Sequence, residues 1–316
     1  MNQENLNKGI VIRSTGSWYD VQTDDGNITK CKFKGKYKIA GIKSTNPIAV
    51  GDQVYFSVLS EEQIGLIQKL EPRNNYMIRK STKLSKQTHI IASNIDYALL
   101  VITLNQPRTS TGFIDRFLVT AEAYHIQTVL IFNKADLFSE KSQKKVNDLK
   151  NLYENLGYRC LQTSAQTGKG LDLLKELMKD KTSLFSGHSG VGKSALINAV
   201  EPNLKLKTGQ ISNYHQKGKH TTTFAEMHPL HFGGYIIDTP GIKEFGLVDM
   251  QKETLSGYFP EMNKRLQLCK FNNCLHLNEP HCAVKKAVSN GEIAQSRYNN
   301  YLAILEDKDL NKKSYM

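Results

Sequence analysis

The sequence predicts a multidomain protein: a small N-terminal β-barrel over residues 1–72, a central α/β domain over 73–248 and a mainly helical C-terminal domain over 249–316. Three observations carry this division. Short apolar or alternating runs separated by turn residues crowd residues 8–70, strand and helix patterns alternate from Tyr97 to Val200, and Cys269, Cys274 and Cys282 lie close together with His276. At 316 residues the chain is long enough for two or three hydrophobic cores.

In the first region, strands are expected at 10–12, 18–21, 31–37, 53–58 and 64–67, with turns at Asp24-Asp25-Gly26-Asn27 and Val50-Gly51-Asp52. Five short strands in that length suit a barrel of the OB type. Lys30, Lys32, Lys34, Lys36 and Lys38 occupy alternate positions, with Cys31, Phe33 and Tyr37 between them, so a strand here carries its ammonium groups on one face. That face is either a solvated edge that resists aggregation or a nucleic-acid contact, and the OB reading tilts it towards RNA. From Arg73 to Ile95 the chain has Arg79, Lys80, Lys83 and Lys86 and no acidic residue, which reads as a mobile, polyanion-seeking linker.

Strands at 97–102, 128–132 and 158–163 then alternate with helices at 112–124, 140–156 and 170–178, the pattern of a doubly wound parallel sheet. The next strand, Ser183-Leu184-Phe185, leads through Gly187-His188-Ser189-Gly190-Val191-Gly192-Lys193-Ser194 into a helix from Ala195 to Val200. Glycines let such a loop wrap a phosphate so that successive N–H groups point inward, and the helix adds its positive end. Lys193 is then the partner of the β and γ phosphates, and Ser194 offers its hydroxyl to Mg²⁺.

Ligands of such sheets bind at the carboxyl ends of the strands. Asn133-Lys134-Ala135-Asp136 follows one of those ends. Asp136 can accept from the guanine N1–H and 2-amino groups together, Lys134 can lie over the ring, and Asn133 ties the loop. Adenine offers neither donor and would leave the carboxylate unpaired. After the next strand, Thr163-Ser164-Ala165 can offer backbone N–H groups to guanine O6. The polar stretch 201–223 ends in His220-Thr221-Thr222-Thr223 and reads as a switch loop, with Thr221 or Thr222 reaching Mg²⁺. Strands at 224–232 and 235–237 lead to Asp238-Thr239-Pro240-Gly241, where Asp238 would hold Mg²⁺ through water and the Gly241 N–H would sense the γ-phosphate. These are the parts of a GTPase in an unusual order: the guanine motifs precede the phosphate loop. The domain is therefore expected to be circularly permuted, which a site assembled from loops at one sheet edge permits. Ile242 follows Gly241 where many GTPases carry a water-orienting glutamine, so free protein should turn over slowly. His220 is the nearest polar group able to complete the site, with an RNA contact or a solvated loop position as its other readings.

The formal net charge is +12, of which residues 1–72 supply +1, 73–249 supply +8 and 250–316 supply +3. Such a balance attracts polyanions. No apolar run approaches a membrane span and residues 1–13 are too polar for a signal peptide, so no membrane is expected and the cytoplasm is inferred. Five cysteines without an export signal argue against a disulfide framework. Cys269, Cys274, His276 and Cys282 instead have the spacing of a closed, structural Zn²⁺ site; reduced free cysteines are the plainer reading, and His281 is a substitute for His276. Helices are expected at 283–288 and 293–305.

A basic barrel, permuted GTPase motifs and a Cys-Cys-His-Cys site in that order make the chain resemble the RsgA (YjeQ) family over almost its whole length. The resemblance implies a GTP/GDP-binding enzyme that contacts rRNA and acts late in maturation of the small (30S) ribosomal subunit, with hydrolysis stimulated by that subunit and the protein a monomer. A second reading is a nucleotide-gated rRNA-binding module in which hydrolysis is incidental.

Overall fold

The computed structural model describes residues 6–33, 47–59, 63–80, 88–206, 225–238 and 251–306. Chain contacts divide it into two units: 1–98 with 172–185 and 200–242, and 99–171 with 186–199 and 243–316.

In the first unit, β1 (Asn7–Ser14), β2 (Tyr19–Thr23), β3 (Ile28–Phe33), β5 (Ile64–Leu70) and β4 (Gln53–Leu59) lie side by side in that order, and β1 pairs with β4 to close the barrel. Alternation does the work expected of it: Val11, Val21, Cys31, Val54, Phe56 and Ile67 point inward and are fully or almost fully buried. Lys30 and Lys32 stand exposed on either side of buried Cys31, and their ammonium groups lie 5.1 and 4.3 Å from the centre of the Trp18 ring. Lys34, Lys36 and Lys38, the remainder of the lysine face, lie outside the described residues.

The expected linker is instead an antiparallel hairpin, β6 (Tyr76–Lys80) with β7 (Thr88–Ser93). Its base is fastened to the barrel by a buried carboxylate. Asp52 accepts from Arg73 Nε and Nη2, both at 2.6 Å, from the Ser93 hydroxyl at 2.6 Å and from the Ala49 N–H at 2.8 Å. With Asp52 inaccessible to solvent, those donors are what makes its burial tolerable. Charge composition concealed this, because a basic run of β-branched and polar residues reads the same in a linker and in a hairpin.

Further along the same unit, β11 (Thr182–Ser186) runs parallel to β13 (Tyr235–Asp238), and β12 (Glu226–Pro229) is antiparallel to β13. The sheet is thus mixed, and β12 is shorter than the expected 224–232 strand. Beside it lies the barrel: Arg13 of β1 pairs with Glu226 of β12, and their side chains meet at 3.0 Å.

The second unit holds β8 (Tyr97–Ile102) from Leu99 on, β9 (Gln127–Phe132) and β10 (Arg159–Gln162) in the order β10-β9-β8, with β9 and β10 parallel. Every residue of β8 after Tyr97 is buried, as near-continuous apolar runs in covered sheets require. α1 (Thr111–Ala123) starts at an N-cap where the Ser110 hydroxyl accepts from the Phe113 N–H, and α2 (Glu140–Asn155) starts at Ser139 in the same way. α3 (Leu171–Met178) and α4 (Lys193–Val200) flank β11 in sequence.

The C-terminal segment begins with a 3₁₀ turn at Lys252–Tyr258 and the short α5 (Pro260–Asn263), and continues through α6 (Ala283–Ser289) and α7 (Gln295–Leu305). The two later helices match expectation. Phe259, Met262, Val284, Ile293, Tyr301 and Ile304 share a core with Val119 of α1. Arg297 of α7 is buried between Glu261, bonded through Nε at 2.7 Å and Nη2 at 3.1 Å, and Asp115 of α1, bonded through Nη1 at 2.6 Å. Asp115 also accepts from the Tyr153 hydroxyl at 2.8 Å and from Asn300 at 2.6 Å. Burial opposes the charge on Arg297, but Asp115 and Glu261 more than offset it and its pKa rises.

Candidate functional site

Each loop of the site follows the end of a strand. Gly187–Ser194 joins β11 to α4 with φ of 137° at Gly187 and 94° at Gly192, values only glycine adopts without strain. Close approach also demands them: a Cβ on Gly187 would sit 2.4 Å from the Val101 carbonyl oxygen, and one on Gly192 would sit 2.6 Å from Asn133 Nδ2. Lys193 opens α4, and its ammonium donates to the Gly187 and His188 carbonyls at 2.6 and 2.8 Å, which holds the charge against the loop.

Asn133 lies at the end of β9, buried, and its Nδ2 donates to the Val191 carbonyl at 2.9 Å while its Oδ1 accepts from the Thr163 hydroxyl at 3.0 Å. One side chain therefore ties the Asn133–Asp136 loop both to the Gly187–Ser194 loop and to Thr163, just after β10. Asp136 sits in a short 3₁₀ turn and accepts from the Ser164 hydroxyl, so the carboxylate is aimed by the residue that precedes Ala165. The Ala135 N–H donates to the Thr163 carbonyl at 3.0 Å, and the two loops form one surface. Lys134, at φ 61°, donates to the Gln106 carbonyl at 2.7 Å.

The sequence-predicted residues from Asn133 to Asp136, Ser164 and Gly187 to Ser194 are brought together. For Asp238 the structure describes the backbone as the last residue of β13, while His220, Thr221, Thr222 and Gly241 lie outside the described residues. Thr163 is expected to offer its backbone N–H, but that N–H donates to the Phe132 carbonyl at 2.9 Å and it is the hydroxyl that reaches Asn133. Phe113 went unseen and left no signal in the sequence: its ring packs on the His188 imidazole with centroids 3.9 Å apart, and burial together with Lys193 lowers the imidazole pKa, which favours the neutral form.

In the C-terminal segment the ligand atoms of Cys269, Cys274, His276 and Cys282 all lie within 4.8 Å of one another. His276 Nδ1 is 3.7 Å from Cys269 Sγ and 3.3 Å from Cys282 Sγ. Burial lowers the His276 pKa, which favours the neutral ligand form, and it pushes the Cys274 thiol up to about 12. A cation held there reverses the cost of the thiolates. Buried His276 Nε2 has no partner among the described residues, while the backbone around it is held: Tyr298 donates to the His276 carbonyl at 2.5 Å and Tyr301 to the Leu275 carbonyl at 2.7 Å. All five cysteines are free thiols, and His281 is exposed rather than part of the cluster. The donor set fits a metal, and three soft sulfurs with one imidazole suit zinc chemistry.

No helix among the described residues is long and apolar enough to cross a membrane. A family model described as RsgA GTPase matches residues 70–248, and one described as RsgA N-terminal domain matches 8–67. A relative from Christiangramia forsetii is 57% identical over 306 residues, covering 96% of this chain and 97% of its own. A relative from Bacteroides fragilis is 53% identical over 305 residues, covering 96% and 98%. Both carry the name small ribosomal subunit biogenesis GTPase RsgA. Among solved structures, YjeQ from Thermotoga maritima matches with a TM-score of 0.78 at 38% identity, covering 96% of this chain and 98% of that one. YloQ, described as a circularly permuted GTPase, matches at 0.74 and 30%, covering 97% and 96%. The permuted motif order agrees with the YloQ match, the relatives cover nearly the whole chain, and it belongs to the RsgA GTPase family.

Proposed function

We propose that this chain hydrolyses GTP and acts in biogenesis of the small ribosomal subunit, binding rRNA and hydrolysing fastest when docked. The observation that carries the nucleotide site is Asn133, whose amide joins the guanine motif to Val191 of the phosphate loop and to Thr163. In this reading Asp136 accepts from the guanine N1–H and 2-amino groups, and Ser164 and Ala165 lie at the O6 edge. Lys134 flanks the ring, and Gly187 to Ala195 with Lys193 cradle the phosphates. Ser194, Asp238 and Thr221 or Thr222 would hold Mg²⁺, which when bound supplies charge that offsets the phosphate oxygens. The Gly241 N–H would sense the γ-phosphate, and His220 would complete the site on docking.

The cluster at Cys269, Cys274, His276 and Cys282 would hold one structural zinc, since four protein ligands leave no open position. Lys30 and Lys32 around Trp18 offer both phosphate contacts and a stacking ring for rRNA. The working division is residues 1–72, 73–248 and 249–316, in a cytoplasmic monomer.

Single-turnover GTP hydrolysis with and without purified small subunits tests this reading. Stimulation of at least about tenfold is expected, as for GTPases whose site is completed in trans. Equal rates would leave the alternative, an rRNA-binding module gated by nucleotide. Retained stimulation in His220→Ala would remove only the role of His220.

A further inference from the structure

We infer that residues 103–113, which match no nucleotide-binding motif, form a third wall of the nucleotide site, with Thr103 and Thr109 as positioning residues that keep the guanine loop and the phosphate loop in register. The inference rests on the nucleotide-site reading above. The segment leaves β8 and is closed on itself by Thr103, whose N–H donates to the Thr109 hydroxyl at 3.2 Å, whose carbonyl accepts from the Thr109 N–H at 2.9 Å, and whose hydroxyl donates to the Pro107 carbonyl at 2.5 Å. Thr103, Leu104 and Thr109 are buried, so these bonds are shielded from water.

The outer side of this closed loop meets both nucleotide loops. Its Gln106 carbonyl accepts from Lys134 Nζ at 2.7 Å, and the Pro107 ring lies against Gly190, 3.3 Å from where a Cβ would stand. Immediately after it, Ser110 caps α1 and Phe113 lies on His188. A free lysine side chain loses rotamer entropy when it is ordered. Pinning Lys134 beforehand removes that cost from ligand binding, and fixing Gly190 and His188 from the same segment sets the distance between the base and phosphate subsites. A ligand that spans both subsites, a guanine nucleoside di- or triphosphate, gains most from this.

The test is titration of the full chain with fluorescently labelled GDP, using wild type, Thr103→Val, Thr103→Ser and Asp136→Asn. Thr103→Val keeps the shape but leaves the Pro107 carbonyl without its donor, and GDP affinity is expected to fall about tenfold. Thr103→Ser keeps the hydroxyl and should stay within about twofold of wild type, a rescue that a merely space-filling role would not give. In hydrolysis, kcat/KM of Thr103→Val should fall with the affinity while kcat falls less. Thr109→Val, which removes only the acceptor of the Thr103 N–H, is the second variant should Thr103→Val not fold, with an expected loss of about threefold. Wild-type affinity in both valine variants, with Asp136→Asn weakened, would overturn the wall alone. No GDP binding by wild type, or an unaffected Asp136→Asn, would overturn the nucleotide-site reading and this inference with it.

Discussion

Asn133 and its partner Val191 are 58 residues apart in the chain, whereas the candidate metal ligands all fall between Cys269 and Cys282. The loops around Asn133 are held by hydrogen bonds, some from the ammonium groups of Lys134 and Lys193, and by close backbone approach at the ends of strands. The Cys-His cluster is almost local in sequence, yet its backbone is fastened from outside by Tyr298 and Tyr301. A distributed site inherits its order from the sheet and loses function in small steps. A local site whose donors are thiols facing one another depends on a cation, so it fails as a unit.

The largest expected effect is at the cluster. Cys274→Ser should remove bound metal and unfold the region around 266–290, since a structural zinc contributes on the order of 10 kcal/mol to such a site. Metal analysis with hydrogen exchange checks this, and full protection of that region without metal would break the contrast between the two sites. Next comes Arg297→Ala, which leaves Asp115 and Glu261 buried without their counter-charge; about 3–5 kcal/mol of stability should be lost in urea denaturation. Arg297→Met should recover part of that, because removing the charge while keeping volume avoids a cavity. The smallest is Asn133→Ala, which strands the Val191 carbonyl and the Thr163 hydroxyl at a cost of about 1–3 kcal/mol. Its signature should be weaker GDP binding with little change in the hydrogen exchange of residues 266–290, and loss of metal in this variant would show that the two sites are not independent.

Much of this was legible in the sequence because its signals are local. Alternation in β1 to β5, near-continuous apolar runs in β8 and β9 and the cap residues Ser110 and Ser139 report on neighbours within a few positions. Glycines, the lysine and the cysteines carry their chemistry in their own side chains or lack of them. The hairpin at β6 and β7 escaped notice because its identity depends on Asp52 and Ser93 at its base, residues that composition cannot assign to one another.

By itself, then, the sequence determined the barrel, the permuted order of the nucleotide motifs and the identity of the candidate metal ligands, because each is written in residue type and short-range spacing. Only the tertiary structure decided that Arg13 of the barrel pairs with Glu226, that Thr163 and Val191 share Asn133, that Phe113 supports His188 and that Arg297 is neutralised by Asp115 and Glu261. These are contacts between residues far apart in the chain. A local pattern can mark a residue such as Asn133 but does not name its distant partner, and only the folded geometry, where burial makes an unpaired polar group costly, selects one partner from many.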